Sequence, residues 1–237
     1  MNALSASNLV LCLLLFVSIS KTTVAGLIRD TELETGIQDL AAPLVKAAGY
    51  APNSVDFRIM LNINYNAFVA GEQVIYLNSG LLLKAQSAEE ILGVIAHELG
   101  HLKAGHVPRR DETLRDASRA GTLAAIAAIA LAAGGVPNDA AMGLVIGGND
   151  QVKRKMLRSF RYDEAVADEL GLNYLNKAGI TSAGLVQMMR RMAAQRALPE
   201  NRQSQYYQTH PGTAQRLLIY EDHTKQTSHQ TAELLLV

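Results

Sequence analysis

The sequence has almost no cysteine and no excess of charge of either sign. Its one cysteine, Cys12, cannot form an intrachain disulfide, so the stability of the fold cannot rest on cross-links. Acidic and basic residues number 22 each, which gives a formal net charge of +0 and argues against nucleic acid as a partner. A chain of 237 residues, 49% of them hydrophobic, can nevertheless bury the core of one ordinary domain.

An apolar run stands near the beginning of the sequence. Residues 9–19 are almost wholly apolar, and the small residues around Ala25 fit a signal-peptidase site. No lysine or arginine precedes the run, so an uncleaved membrane anchor is the alternative. We therefore predict an export signal or N-terminal membrane anchor over residues 1–25 and a single domain over residues 26–237.

Hydrophobic periodicity predicts helices and a few strands in the rest of the chain. Apolar residues recur at helical spacing over 31–48, and residues 55–63 alternate apolar and polar side chains as a half-buried strand does. A second strand is predicted at 73–78, and Gly71 suits the turn of a hairpin between the two. Two later helices are predicted, at 162–175 and 183–197.

Residues 121–136 and 140–148 are two apolar stretches rich in alanine, isoleucine, leucine and glycine. The first is shorter than the roughly 20 residues of a membrane-spanning helix. Three interpretations fit this composition: a buried helical hairpin, a flexible lid beside the functional site, or a surface that touches lipid.

The sequence carries an H-E-x-x-H motif at His97, Glu98 and His101. Ser87 and Glu90 form a capping box, which predicts a helix that begins there and runs through the motif. Histidines four residues apart lie one turn apart on the same face, so both imidazoles can reach one metal ion. Glu98 points beside that ion, where it can take a proton from water. The motif therefore predicts one zinc ion per chain.

A catalytic zinc usually has three protein ligands, so a third ligand is expected downstream. His106 follows His101 by five residues instead of the six of the metzincin pattern, so we expect it behind the ligands or at the surface. Glu164 and Asp168 lie one helical turn apart on a common side. We predict that Glu164 binds the ion and that Asp168 accepts the second ring N–H of a zinc-bound histidine.

Other segments of residues 55–220 accompany this set. They are Asn66-Ala67-Phe68, Asn78-Ser79-Gly80-Leu81, Arg161 before Glu164, and Thr209-His210-Pro211 with Arg216. With them the sequence resembles the gluzincin endopeptidases of the type I CAAX prenyl endopeptidase and HtpX family, above all its small exported bacterial members. The resemblance implies an α+β, mainly helical zincin-type metallopeptidase domain with a small β-sheet or hairpin beside the H-E-x-x-H helix.

The resemblance also implies roles for individual residues. His97, His101 and Glu164 would bind zinc, and Glu98 would be the general base. His210 would lie at the active site, where it could stabilise the oxyanion or, in a latent state, occupy the open position of the zinc.

The function that the resemblance implies is hydrolysis of peptide bonds in unfolded or damaged envelope proteins. A substrate peptide would lie extended along Asn66, Ala67 and Phe68 and add a strand through main-chain hydrogen bonds. Arg216 would either hold a carboxylate of the site or be exposed. The protein would be exported, periplasmic or membrane-associated, with a membrane or outer-membrane assembly as a further contact. The alternative is a non-hydrolytic chaperone or adaptor whose zinc is structural or blocked by His210.

Overall fold

The computed structural model describes residues 26–133, 138–195, 197–210 and 214–234. The export signal or anchor predicted over residues 1–25 lies outside these residues, as does Pro211. Within the described residues the chain is mainly helical and has one small β-sheet, so the predicted fold class is confirmed. None of the described helices is both long and apolar enough to cross a membrane.

The sheet of the described residues contains β1 (Leu27–Ile28), β2 (Asp56–Met60), β3 (Ala67–Val69) and β4 (Val74–Asn78), in the order β1-β2-β4-β3. The two predicted strands are confirmed as β2 and β4, but the hairpin predicted between them is wrong because they pair in parallel. The hairpin instead joins β3 to β4. A strand as short as β3 shows no clear alternation, so periodicity could not reveal it.

Helices make up most of the rest of the described chain. They are α1 (Thr31–Ala47), α2 (Ser79–Lys84), α3 (Ala88–Lys103), α4 (His106–Ala133), α5 (Asn138–Lys177), α6 (Ala183–Gln195), α7 (Gln205–Thr209) and α8 (Ala214–Leu234), with a 3-10 turn at Glu200–Arg202. The helices predicted at 31–48 and 183–197 are confirmed as α1 and α6. The helix predicted at 162–175 begins much earlier, at Asn138. Its first half exposes polar residues and lacks the apolar stripe that predicted the rest, so periodicity did not reveal it.

Helix α3 lies in the centre of the domain, as predicted. The Ser87 hydroxyl accepts the amide N–H of Glu90 at 3.3 Å, which caps the first turn. The Glu90 carboxylate accepts the amide of Gln86 at 2.9 Å, one residue before the partner that a capping box would use. Every residue from Leu92 to His101 is buried, so the helix that carries the H-E-x-x-H motif is enclosed on all sides.

Gly100 allows α3 and α5 to approach each other closely. A Cβ atom added at Gly100 would lie 2.5 Å from the carbonyl oxygen of Ala167, closer than any real side chain could lie. Gly100 stands just before His101, and Ala167 stands between Glu164 and Asp168. The contact therefore brings the histidines of α3 opposite the carboxylates of α5.

Helices α4 and α5 pack along each other and are joined by residues 134–137. Four large apolar side chains on this pair are 58–71% exposed, namely Leu123, Ile126, Ile129 and Ile146. Of the three interpretations of residues 121–148, the buried helical hairpin is therefore wrong for these side chains. A helix whose main neighbour here is one other helix cannot bury all its faces.

Replacing Gly100 with alanine is expected to lower the free energy of unfolding by about 3 kcal/mol, because α3 and α5 must move apart to admit the methyl group. Gly36→Ala in α1 is the matched control. Nothing lies within 4 Å of a Cβ at Gly36, and the better helix propensity should raise the free energy of unfolding by about 1 kcal/mol. Urea denaturation followed by circular dichroism measures both; equal effects would mean that the contact between α3 and α5 does not constrain the fold.

Candidate metal centre

Four buried side chains present ligand atoms to one point: His97, His101, Glu164 and His210. The Nε2 atoms of His97 and His101 lie 3.0 Å apart. Glu164 Oε2 lies 3.3 Å from His97 Nε2, and Glu164 Oε1 lies 3.4 Å from His101 Nε2. His210 Nδ1 lies 3.3 Å from His97 Nε2 and 3.1 Å from Glu164 Oε2. Side chains far apart in sequence thus converge within a few ångströms.

These separations fit a tetrahedral metal ion. Zinc bonds of about 2.0–2.1 Å to imidazole nitrogen and carboxylate oxygen place neighbouring ligand atoms about 3.3–3.4 Å apart in a tetrahedron. Imidazole nitrogens and a carboxylate oxygen are also donors that zinc prefers. The four residues could therefore hold one zinc ion. If all four were bound, no coordination position would be open to substrate.

Glu98 lies beside this group and supplies none of its four ligand atoms. Its side chain is buried, and Glu98 Oε1 lies 3.6 Å from His210 Nε2. Burial raises the pKa of Glu98, although the charges of His210 and His97 oppose this. A carboxyl group with a raised pKa exchanges a proton more readily near neutral pH, which suits a general base and acid.

Asp168 lies behind His97, with its Oδ1 atom 3.0 Å from His97 Nδ1. Arg216 donates to both Asp168 oxygens, from Nε at 2.6 Å and from Nη2 at 2.7 Å, and the Tyr220 hydroxyl also donates to Oδ1. Burial would raise the pKa of Asp168, but the charge of Arg216 and the hydrogen bond with His97 lower it to about 2. Arg216 is therefore buried and paired with a carboxylate, one of the two placements expected for it.

The carboxylates favour positive charge at His97. Burial alone would lower the pKa of His97, but hydrogen bonds and charge from Asp168 and Glu164 raise it to about 9. The same carboxylates would stabilise a metal cation in place of that proton.

His106 lies directly behind His101. Helix α3 ends at Lys103, and Gly105, with a φ of 64°, reverses the chain so that α4 begins at His106. The Nδ1 atoms of His106 and His101 lie 2.7 Å apart, and His106 is only 1% exposed. Of the two expected placements, behind the ligands or at the surface, the structure therefore shows the first. Burial lowers the pKa of His106 to about 4, which keeps it neutral near pH 7.

Three contacts of the centre had no counterpart in the sequence analysis. Arg110 Nη2 donates to Glu164 Oε1 at 2.6 Å, and Arg109 Nη2 donates to Asp163 Oδ1 at 2.5 Å. The third is the hydrogen bond that the Tyr220 hydroxyl donates to Asp168. Tyr220 follows Arg216 by four residues, and this helical spacing is the sequence pattern that could have revealed it. No such pattern links the arginines to residues more than fifty positions later.

The residues predicted to bind substrate lie in and just before the edge strand β3. Asn66 and Ala67 are buried, and the Phe68 ring stacks on Tyr76 with 5.2 Å between centroids. Strand β3 packs against α3, the helix of the H-E-x-x-H motif. The structure thus places Asn66, Ala67 and Phe68 alongside the motif helix, but the described hydrogen bonds and ion pairs do not join them to the four ligand side chains.

A buried H-E-x-x-H helix whose histidines meet a glutamate of a later helix defines a metallopeptidase. The chain belongs to peptidase family M48, whose model matches residues 28–220. The predicted family and enzyme class are thereby confirmed.

Known members of the family include proteins with similar sequences. A protein of Vibrio cholerae named as a beta-barrel assembly-enhancing protease is 33% identical over 168 residues, which cover 70% of this chain and 34% of that protein. Metalloprotease LoiP of Escherichia coli is 28% identical over 197 residues, or 83% of this chain and 72% of LoiP. Metalloprotease YcaL of the same species is 26% identical over 180 residues. The chain therefore spans about a third of the Vibrio protein and most of LoiP.

Replacing Arg216 with methionine is expected to lower the free energy of unfolding by about 3–5 kcal/mol at pH 7, because Asp168 would stay buried without its cation. The pKa of Asp168 is about 2 in the folded protein, below its ordinary 3.8. The stabilisation is therefore complete above about pH 4 and is lost as the pH falls through 2. The difference between wild type and variant should shrink over this range in denaturation measured at several pH values.

Arg190→Met is the matched control for Arg216→Met. Arg190 pairs with Glu221 at 2.7 Å, but its side chain is 65% exposed. Removal of this ion pair should change the free energy of unfolding by less than about 1 kcal/mol. An equally small loss in Arg216→Met would contradict the importance given to the buried pair.

Proposed function

We propose that this protein is a zinc-dependent endopeptidase that hydrolyses peptide bonds in unfolded or damaged proteins of the bacterial envelope. The observation that carries the proposal is the convergence of His97, His101 and Glu164 on one point, with the carboxylate of Glu98 beside them. Membership of the M48 family supports the same activity.

The chain's own residues have distinct roles in this proposal. His97, His101 and Glu164 hold the zinc, which when bound polarises the peptide carbonyl and lowers the pKa of water. Glu98 takes the proton of the attacking water and then delivers it to the nitrogen of the leaving amine. Burial of Glu98 raises its pKa, and this makes the first transfer, in which Glu98 accepts the proton, easier.

In this proposal His210 closes the site. Its Nδ1 atom lies among the ligand atoms of His97 and Glu164, where the fourth ligand of a tetrahedral ion would lie. We therefore assign this arrangement to a latent form, and His210 must move aside before a peptide can bind.

A substrate peptide is proposed to bind along the edge of β3. In the described sheet β3 pairs with β4 on one side only, and it packs against α3. An extended segment could therefore add to this edge through main-chain hydrogen bonds, close to the motif helix. This mode requires an unfolded or flexible substrate, because a folded strand already has its hydrogen bonds.

Cleavage should depend on Glu98 once His210 is out of the way. On an unfolded protein such as casein, His210→Ala is expected to cleave faster than wild type because one coordination position is opened. Addition of Glu98→Gln to His210→Ala should lower kcat by about 10²–10⁴-fold, since the proton acceptor is lost. The measurement is the initial rate of peptide-bond cleavage with saturating zinc.

Zinc content is the control for this comparison. His210→Ala and the double variant should each hold one zinc per chain, since Glu98 supplies none of the ligand atoms. Equal cleavage by the two would remove Glu98 from catalysis. Zinc binding without cleavage in either would favour the chaperone or adaptor interpretation.

We also propose that the protein is exported and contacts an anionic membrane surface through helices α4 and α5. The names of its relatives, which include a protease that enhances beta-barrel assembly, support an envelope location. The exposed side chains of Leu123, Ile126, Ile129 and Ile146 supply an apolar surface. Farther along α5 stand exposed basic residues that suit anionic head groups: Lys153, Arg154, Lys155 and Arg158.

Binding to vesicles tests this contact. The protein should co-sediment with vesicles that contain anionic phosphatidylglycerol, and Ile126→Asp with Ile129→Asp should reduce binding several-fold because two charges would enter the apolar layer. Leu83→Asp is the matched control, since Leu83 is 80% exposed but lies on α2. Unchanged binding by the Ile126 and Ile129 variant would show that the membrane contact lies elsewhere.

A further inference from the structure

The second ring nitrogen of His101 points away from the proposed zinc. His101 Nε2 faces His97 Nε2 at 3.0 Å and Glu164 at 3.4 Å, so Nε2 is the atom that would bind the ion. A nitrogen that binds a metal offers its lone pair, so the proton of the neutral ring must stand on Nδ1. This N–H is buried and requires an acceptor.

His106 is in the right place to accept that proton. Its Nδ1 atom lies 2.7 Å from His101 Nδ1, a normal hydrogen-bond distance. If His101 donates, His106 must accept through the Nδ1 lone pair and carry its own proton on Nε2. His106 Nε2 in turn faces the Asp163 carboxylate at 3.8 Å. Both rings are buried, so water does not compete for these contacts.

Asp163 connects this pair to the third ligand. Its carboxylate accepts from Arg109 at 2.5 Å and lies 3.5 Å from Arg110 Nε. Arg110 also donates to Glu164 at 2.6 Å. Because His106, Arg109 and Arg110 all stand in the first turns of α4, that helix end touches two of the three proposed ligands from behind.

We propose that His106 is a positioning residue of the metal centre: it accepts the Nδ1–H of His101 and so fixes the tautomer and the ring orientation with which His101 binds zinc. His106 thus has the role for His101 that Asp168 has for His97, which is to accept the ring N–H that faces away from the ion. The inference rests on the proposed zinc site and extends it, since it gives the second histidine an outer partner. His106 is not itself a ligand here, because its Nδ1 meets the ring nitrogen of His101 that points away from the ion.

Substitutions that differ in their ability to accept a hydrogen bond test the role. Asparagine at position 106 can place its Oδ1 atom where the histidine Nδ1 now stands, whereas leucine cannot accept. We expect His106→Leu to weaken zinc binding by about 10–100-fold and His106→Asn to weaken it only a few-fold. The readout is the zinc dissociation constant of the full chain, from competition with a chromophoric chelator.

His223→Leu is the matched control. His223 is half-buried and contacts the Ser182 hydroxyl at 2.9 Å, but it is no part of the four-residue group. Its replacement should leave the zinc dissociation constant unchanged, although it can lower the melting temperature. A merely structural role of His106 would lower the melting temperatures of His106→Leu and His106→Asn alike and leave zinc affinity at the wild-type value. That result would overturn the inference.

The outcomes also separate this inference from the proposed function. If the wild type binds no zinc and Glu164→Ala changes nothing, the proposed function itself fails. If the wild type binds one zinc and Glu164→Ala abolishes this, but His106→Leu binds zinc as tightly as the wild type, only the role of His106 is refuted.

Discussion

The close approach of α3 and α5 is the constraint on which the metal centre depends. Each helix contributes two functional side chains four residues apart, His97 and His101 on one and Glu164 and Asp168 on the other. Two such pairs can face each other only if the helix backbones meet, and at Gly100 the Ala167 carbonyl occupies the space of a side chain. Because the ligands stand on two buried helices in direct contact, their relative positions are fixed before any ion binds, which reduces the conformational entropy lost on binding.

The second constraint is electrostatic. A centre that buries several ionisable groups is stable only if each charge has a partner. Asp168 is matched by Arg216, and Glu164 by Arg110 together with the histidines. Burial would raise the pKa of Glu164, but the charge of His210 and hydrogen bonds with the three histidines of the centre lower it well below its usual range. The carboxylates thus remain ionised in the interior, which is the protonation state that a metal ion requires.

The sequence predicted the parts of this centre that follow from local spacing. The capped start of α3 at Ser87 and the motif on that helix could be predicted because both involve residues only a few positions apart. A glutamate and an aspartate one turn apart likewise indicate a shared helix face without knowledge of the fold. The parallel pairing of β2 with β4 and the contact of Arg110 with Glu164 depend on tertiary packing, to which local periodicity is insensitive. Composition left open whether Leu123 and Ile126 are buried or exposed, because apolar residues indicate burial only where the fold supplies a neighbour.

The four side chains of the centre differ in how firmly they are held, and this difference supports the proposal of a latent site. His97, His101 and Glu164 stand in the interiors of long helices and are contacted from behind by Asp168, His106 and Arg110. His210 stands at the C-terminal end of the five-residue helix α7, where its backbone amide donates to Tyr206 and its ring lies 4.6 Å from the Tyr206 ring. A single helical turn is not stable by itself, so the position of His210 depends on the packing of the buried Tyr206. The other three side chains stand on α3 and α5, whose backbones are in direct contact at Gly100 and Ala167. In the proposed latent form His210 is the exchangeable ligand and the other three are fixed, which is what a peptidase needs if it is to be closed at rest and open to a peptide.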